Sequence, residues 1–557
     1  MSGLSKALPL FSVGEKMQKS VNPSKVLFRG AFILTIAAII TKILSAFYRI
    51  PFQNIVGDIG FYIYQQVYPF YGIAMVLSTT GFPVVISKLY AEQKEKGDDE
   101  KSRLLLFVSF IYLQLFGFLC FLILYLGSNQ IALWMNDPHL SILLRVVSIV
   151  FLTFPFVALL RGYYQGIGNM VPTALSQVGE QTTRVLTIIF LSYLFMQKGY
   201  SLYLVGGGAM FGSITGSLIS AIILFMFLWI RKEWKLIAPN KEIFHSYTDD
   251  IKRIFKLLLF QGLTICLSGM LLIFLQLADS LNLYSLLTSS GVEQTIAKGL
   301  KGIFDRGQPL IQLGTTVATA MSLTLVPMIT RERMALKPQF LHHKIRLAIK
   351  VSIVVGLGAS AGLWAIMEPT NTMLFENADG SSVLGVLGFV ILFTSIILTI
   401  IAIMQGLGSL MFPALTVLGT FPLKYCLNMV FVPAFATMGA ALASLISLAI
   451  VSAILFMKLK KIVKIPLFNS HFLGTVLAAT VLMVLFLKGY LFISGFIIEP
   501  LALGRIGAAF QALSSACFGG MLFLLIIIKG SVFTEEELSL FPLGSKLIHF
   551  MARKDRK

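Results

Sequence analysis

Charge is scarce in this chain. Only 13% of its 557 residues are Asp, Glu, Lys or Arg, against 57% hydrophobic. A soluble globule of that size could not cover itself with so little polar surface, which excludes the soluble classes and leaves a polytopic membrane protein. Acidic residues are the scarcer sign, 25 against 45 basic. Those expected outside the membrane on its outer face (Asp58, Asp137, Glu293, Asp305, Glu368, Glu376, Asp379 and Glu499) are scattered over separate loops. A membrane glycosyltransferase or polymerase would gather carboxylates at one face. HExxH and Walker A motifs are missing as well, so no enzyme, catalytic residue, metal or cofactor is expected. Cysteine is limited to Cys120, Cys266, Cys426 and Cys517, without CxxC spacing and in or beside apolar runs, which suits packing better than disulfides or metal. A cleavable leader is not evident, because the first apolar run begins near residue 30 and is long enough to span; the N-terminus is expected to be retained.

What the chain has instead is long apolar runs. Spans are predicted near 30–50, 61–86, 104–126, 140–160, 173–196, 201–230, 257–279, 309–330, 347–367, 383–405, 411–432, 437–457, 471–494 and 503–528, fourteen in all. The net charge of +20 raises nucleic acid as a partner. The basic residues, however, lie in short segments between apolar runs, as the positive-inside rule expects, so membrane lipids are the partner and nucleic acid is not. With the N-terminus inside, the inner segments carry 34 Lys and Arg, Arg161 among them, and the outer segments 7. A multi-pass protein of the bacterial cell membrane with both termini cytoplasmic is expected.

Laid over itself at an offset of 240, the chain repeats. Gln165–Arg184 (QGIGNMVPTALSQVGEQTTR) faces Gln405–Lys424 (QGLGSLMFPALTVLGTFPLK), and Arg184 falls on Lys424. A weaker echo sets Gly81–Lys88 against Leu325–Arg331. Both imply a six-span unit repeated in one orientation, the plan of a two-bundle transporter with its cavity between the bundles. The expected organisation is a cytoplasmic segment 1–29, bundles 30–230 and 257–457 joined by a cytoplasmic linker 231–256, two further helices in 458–529, and a cytoplasmic tail 530–557.

Charges inside spans cost roughly 2.5–3.5 kcal/mol each on insertion scales, so each needs a partner or a polar cavity. Glu180 and Arg184, at i,i+4 on span 5, are expected to neutralise each other. Lys424 has no such neighbour in sequence, and Arg145 and Asp279 are placed at the interface. Lys42, Arg49, Arg306 and Lys424 then form a set suited to making one cavity electropositive, for an acidic and above all a phosphate-bearing substrate. Pro69, Pro83, Pro155, Pro172, Gly314, Pro327, Pro413 and Pro422 mark places where spans can kink, with Pro83 and Pro327 the expected hinges.

The segments Thr41–Leu44, Tyr48–Pro51, Gly57–Asp58, Tyr64–Gln65, Tyr68–Pro69, Gly81–Lys88, Asp305–Arg306 and Leu325–Pro327 resemble those of the multidrug/oligosaccharidyl-lipid/polysaccharide flippase superfamily. Within it, the likeness is to the Gram-positive branch of MurJ-type lipid II flippases and the similar SpoVB-type sporulation proteins. The resemblance implies export of an undecaprenyl-diphosphate-linked glycan from inner to outer leaflet by alternating access, with cell-wall synthesis enzymes as potential partners. It carries substrate binding over to Lys42 and Arg49 of span 1 and to the pair Asp305 and Arg306 opening span 8; Gln65 of span 2 and Lys424 are candidate binding residues on their own chemistry and place in the spans. The chain departs from the family in having no Arg in span 2 and one extra residue between Lys42 and Arg49. Lipid II is the expected cargo; another lipid-linked polysaccharide or a spore-cortex precursor, and a multidrug or cation antiporter, are the alternatives. The coupling ion is not specified by the sequence.

Overall fold

Lipid offers no hydrogen bonds to the backbone, so an apolar chain satisfies its N–H and C=O groups within helices. The computed structural model follows this rule: every regular element among the described residues is helical. It describes residues 23–233, 248–316, 329, 338–464, 470–498 and 503–539.

The first group of helices comprises α1 (Pro23–Phe47), α2 (Arg49–Val76), α3 (Phe82–Glu95), α4 (Asp99–Leu126), α5 (Ser128–Trp134), α6 (Ser141–Ser148), α7 (Val150–Gly166), α8 (Val171–Gln197) and α9 (Leu202–Ile230). The second comprises α10 (Thr248–Leu257), α11 (Leu263–Ser268), α12 (Leu271–Ser289), α13 (Gln294–Asp305), α14 (Gly307–Gly314), α15 (Pro338–Ala365), α16 (Met367–Phe375), α17 (Ser381–Gly388), α18 (Val390–Gly406), α19 (Met411–Leu418) and α20 (Thr420–Val463). Last come α21 (Ser470–Ile498), α22 (Gly504–Lys529) and the short α23 (Glu535–Ser539). Local chemistry sets several boundaries. Asp98 caps α4 by accepting the Lys101 N–H at 2.9 Å, and Asp99 and Glu100 follow at the positive end of the helix dipole.

Two helices reverse inside one continuous run. Gly57 takes φ 69°, a conformation open to glycine, and the chain folds back there: the hydroxyls of Tyr48 and Tyr64 meet at 2.9 Å. Sixteen residues of straight helix would separate them by about 24 Å. Ala436, at φ 49°, turns α20 in the same way, so that Lys424 Nζ reaches the Ala440 carbonyl at 2.8 Å. Ten described stretches are long and apolar enough to cross a membrane, and these two account for the longest, 64 and 53 residues. Each therefore holds two crossings. The expected span 5 is present as α8, 27 residues long. The expected span 8 is described only from Gly307 to Thr316 and at Ile329, so the described residues do not close a count of fourteen. Pro327 lies outside the described residues.

The repeat read from sequence reappears as geometry. After α7 the N–H groups of Ile167, Gly168 and Asn169 bond to Tyr163, Gln165 and Tyr164; after α18 those of Leu407, Gly408 and Ser409 bond to Ile403, Gln405 and Met404. Gly168 and Gly408 both sit at positive φ, 76° and 84°, closing the same helix-ending turn.

In the first group α8 packs on α9 and α1, and α3 packs on α7; in the second α12 packs on α20, and α15 on α18. Helix α2 is the shared wall, lying against α9 and α6 on one side and α13 and α12 on the other. Helices α21 and α22 pack on each other and against α15 and α16. Between α2 and α3 the chain makes a π turn, Leu77–Gly81, and a second π turn, Leu258–Gly262, lies between α10 and α11. Each packs against the helix that follows the other. A Cβ on Gly81 would lie 1.9 Å from Cys266 Sγ, and one on Gly262 would lie 2.7 Å from the Phe82 ring. Pro83 is the second residue after the first π turn, whose widened backbone relieves the clash its ring would make with the carbonyl four residues back.

Candidate functional site

Where α1 passes into α2, Arg49 is buried to 1% exposure. Its Nη1 donates to Gln312 Oε1 at 3.0 Å, beyond α1 in the second group, and Gln312 Nε2 in turn donates to Ser45 Oγ at 3.2 Å. Arg184 of α8 is fully buried; its Nη2 donates to the hydroxyls of Tyr48 and Tyr64, both at 2.9 Å. The two guanidinium groups share an aromatic cage. Arg49 lies 4.4 Å from the Tyr68 ring centre, and Arg184 lies 4.1 Å from that of Tyr71 and 5.6 Å from that of Tyr68. No carboxylate of the described residues comes within ion-pair distance, 4.0 Å, of either guanidinium.

The energies leave this site short of negative charge. Moving an ion out of water costs several kcal/mol even after relaxation. A desolvated cation–π contact returns about 2 kcal/mol and a hydrogen bond to a charged group about 1.5–3 kcal/mol. Three buried donors at the cage, Arg49 Nε, Arg184 Nε and Gln181 Nε2, have no acceptor. An anion would supply both the acceptors and the charge. The fold reversal at Gly57 is what brings Tyr48 and Tyr64 together, so the cage depends on that turn.

The other predicted residues are distributed differently. Lys42 is half-buried on α1, two turns before Arg49. Gln65 is buried on α2, with its Oε1 unpartnered. Arg306 does not present a free charge: Asp58 takes its Nε and Nη2 in a fork at 2.8 and 2.6 Å, and Asn377 accepts from Nη1 at 2.7 Å. Asp305, its sequence neighbour, points elsewhere and holds Lys301 at 2.7 Å. Lys424, read as lacking a partner, is paired with Asp279 at 3.0 Å and also donates to Ala440 O and Ser444 Oγ. Asp279 is therefore buried inside the second group, not interfacial; Asn428 Nδ2 donates to it at 2.9 Å. The set of four cations expected to act together is thus divided, with Arg306 and Lys424 each neutralised locally.

Two further expectations are corrected. Glu180 does not neutralise Arg184 but pairs with Arg161 at 2.7 Å, and Arg161, expected in an inner loop, is fully buried within α7. Sequence reasoning thus missed Arg184 as a cage residue. The available signal was Arg161 itself, sitting at the end of the apolar run VFLTFPFVALL as a competing partner for Glu180.

At the end of the molecule opposite α10, contacts join the two helix groups. Besides Asp58 and Arg306, Asp137 pairs with Lys298 at 3.2 Å and accepts from Tyr203 at 2.7 Å and Tyr62 at 3.2 Å. Asn136 Nδ2 donates to Thr288 Oγ1 at 3.0 Å. That end is closed.

Comparisons with known proteins bear on the family and the fold. A family described as "Polysaccharide biosynthesis protein" matches residues 27–332. The uncharacterized membrane protein YabM of Bacillus subtilis (strain 168) is 43% identical over 95% of this chain and 97% of its own length. The lipid II flippase MurJ of the same organism is 26% identical over 76% of this chain and 80% of its own. Among solved structures, lipid II flippase MurJ in an inward closed conformation aligns with TM-score 0.62 at 15% identity, covering 89% of this chain and 98% of that one; at such identity it speaks for the fold. The chain belongs to the polysaccharide biosynthesis protein family, within the multidrug/oligosaccharidyl-lipid/polysaccharide flippase superfamily.

Proposed function

We propose that this protein exports an undecaprenyl-diphosphate-linked glycan, lipid II as the leading cargo, from the inner to the outer leaflet by alternate opening of the two helix groups. The observation that carries the reading is the tyrosine cage in which Arg49 and Arg184 lie buried without a carboxylate. A diphosphate is the ligand whose charge and acceptor oxygens match that deficit. The name of the MurJ relative supports lipid II, while the greater identity to YabM leaves room for another lipid-linked precursor sharing the same diphosphate handle. An antiporter of cationic drugs would need free buried carboxylates; here Asp279, Asp305 and Glu180 are each held by a base.

In this reading the groups correspond to bundles 30–230 and 257–457, the end bearing α10 faces the cytoplasm with both termini, and Pro83 and Pro327 flank the moving segments. Lys42 and Gln65 line the route beside the cage, Arg306 meets the headgroup once Asp58 releases it, and membrane lipids surround the whole. Lys424 and Asp305 serve structure, each held in a buried pair.

The test is depletion. Loss of the protein should make one lipid-linked precursor accumulate in the inner leaflet; Arg49→Gln should fail to reverse this although it inserts at the normal level. Full complementation by Arg49→Gln, or no precursor accumulating, would sink the proposal.

A further inference from the structure

Glu180 precedes Arg184 by four residues on α8, the spacing at which a carboxylate ordinarily neutralises a guanidinium. Both stems pass the same glycine. A Cβ on Gly216 of α9 would lie 3.1 Å from Arg184 Cβ and 3.5 Å from Glu180 Cγ, so the two side chains start as neighbours. They nevertheless part, Arg184 toward Tyr48 and Tyr64 and Glu180 toward Arg161 Nη2 at 2.7 Å.

Arg161 is held in place to do this. Its Nε donates to Ser176 Oγ at 3.0 Å, Nη2 also donates to Ser220 Oγ at 2.9 Å, and Nη1 donates to the Ser78 carbonyl at 3.2 Å, within the first π turn. Its guanidinium is thus fixed from α8, α9 and the π turn at once, and Glu180 completes the set. Arg184 is left with hydroxyl and amide partners, none of which cancels its charge.

We infer that Arg161 is a positioning residue that diverts Glu180 and so keeps Arg184 available as the second cation, beside Arg49, of a clamp for the diphosphate of a polyprenyl carrier. This rests on the proposed function and adds to it a residue of α8 and the means by which its charge is preserved. The geometry is consistent with one ligand touching both cations: Tyr68 lies against each guanidinium, at 4.4 and 5.6 Å from its ring centre, which holds their carbons within about 10 Å of each other.

The experiment uses the purified full chain in detergent, with thermal shift read against inorganic pyrophosphate and, separately, against a polyprenyl diphosphate in the same micelles. Wild type is stabilised by the polyprenyl diphosphate; a response to pyrophosphate as well identifies the headgroup alone as sufficient, and its absence assigns part of the recognition to the lipid, both within the clamp. Arg184→Gln and Arg161→Gln each weaken apparent affinity by about tenfold or more. Arg161→Gln/Glu180→Gln returns to within about threefold of wild type, because the freed carboxylate is gone, and Arg161→Lys, which keeps the pairing charge, also stays within about threefold; a Lys variant as weak as a folded Arg161→Gln overturns the inference. A purely structural Arg161 would leave the double variant as weak as the single one, which overturns the inference, as does wild-type affinity in Arg161→Gln. Wild-type binding with an unaffected Arg184→Gln overturns the clamp and leaves the proposed function standing; no binding of either probe by wild type overturns both.

Discussion

Arg184 and Lys424 occupy matching places in the repeat and are both fully buried, yet their surroundings assign them opposite roles. Lys424 meets Asp279 and two further oxygens, so its charge is spent on holding α12 to the two arms of α20. Removing one partner of such a buried pair is expected to cost about 3–5 kcal/mol, because the other is left charged and unsatisfied. Asp279→Ala should therefore lower the unfolding temperature of the purified protein sharply, while Asp279→Leu/Lys424→Met recovers most of the loss; equal destabilisation by both variants would contradict the pairing. The sequence made the buried charges legible as a group but not their partners. Asp279 and Lys424 are far apart in the chain, and only the packing of α12 on α20 joins them. Glu180 and Arg184 mislead for the opposite reason, since their i,i+4 spacing is a local rule overridden by Arg161 from another helix.

Among the elements, the two π turns and the reversals at Gly57 and Ala436 shape the interior. Apolar run lengths place most of the described crossings, because hydrophobic thickness fixes helix length whatever the packing; span 7, expected to end at residue 279, instead continues through α12 to Ser289. Both reversals fall in gaps between predicted spans, Gly57 in 51–60 and Ala436 in 433–436, where Gly57-Asp58 and Pro433 carry ordinary turn signals; only the positive φ of an alanine goes unannounced. The π turns escape any periodicity rule, since each inserts a single wide turn into an otherwise continuous helical run. Their packing gives a direct prediction. Gly81→Ala should impair transport, since its methyl group would overlap Cys266, and Gly81→Ala/Cys266→Ala should recover part of it in a complementation assay. No recovery would mean that Gly81 matters for backbone freedom and not for the close approach of the first π turn to α11.

For the whole molecule, the proposed function links the cage of the first helix group, which Gln312 of the second group joins, to the contacts at the end opposite α10. Under the proposed export cycle, Asp58 would release Arg306 and Asp137 would release Lys298, so that the groups part at that end. An anionic headgroup favours whichever state offers it more uncompensated cations, and a ligand shifts an equilibrium only by that difference. Joining Asn136→Cys to Thr288→Cys by oxidation, across a pair now 3.0 Å apart, should stop export, and reductant should restore it. Continued export at complete crosslinking would exclude separation at that end. The central claim, that unneutralised cations in the cage carry a diphosphate across, is tested most directly in proteoliposomes loaded with a fluorescent polyprenyl-diphosphate-linked sugar. Each charge-assisted contact is worth about 1.5–3 kcal/mol, or roughly ten- to a hundredfold. Wild type should move the lipid between leaflets well above the protein-free rate, with Arg49→Gln and Arg184→Gln each slower by about tenfold or more at limiting lipid. Transport by either variant at the wild-type rate would contradict the account.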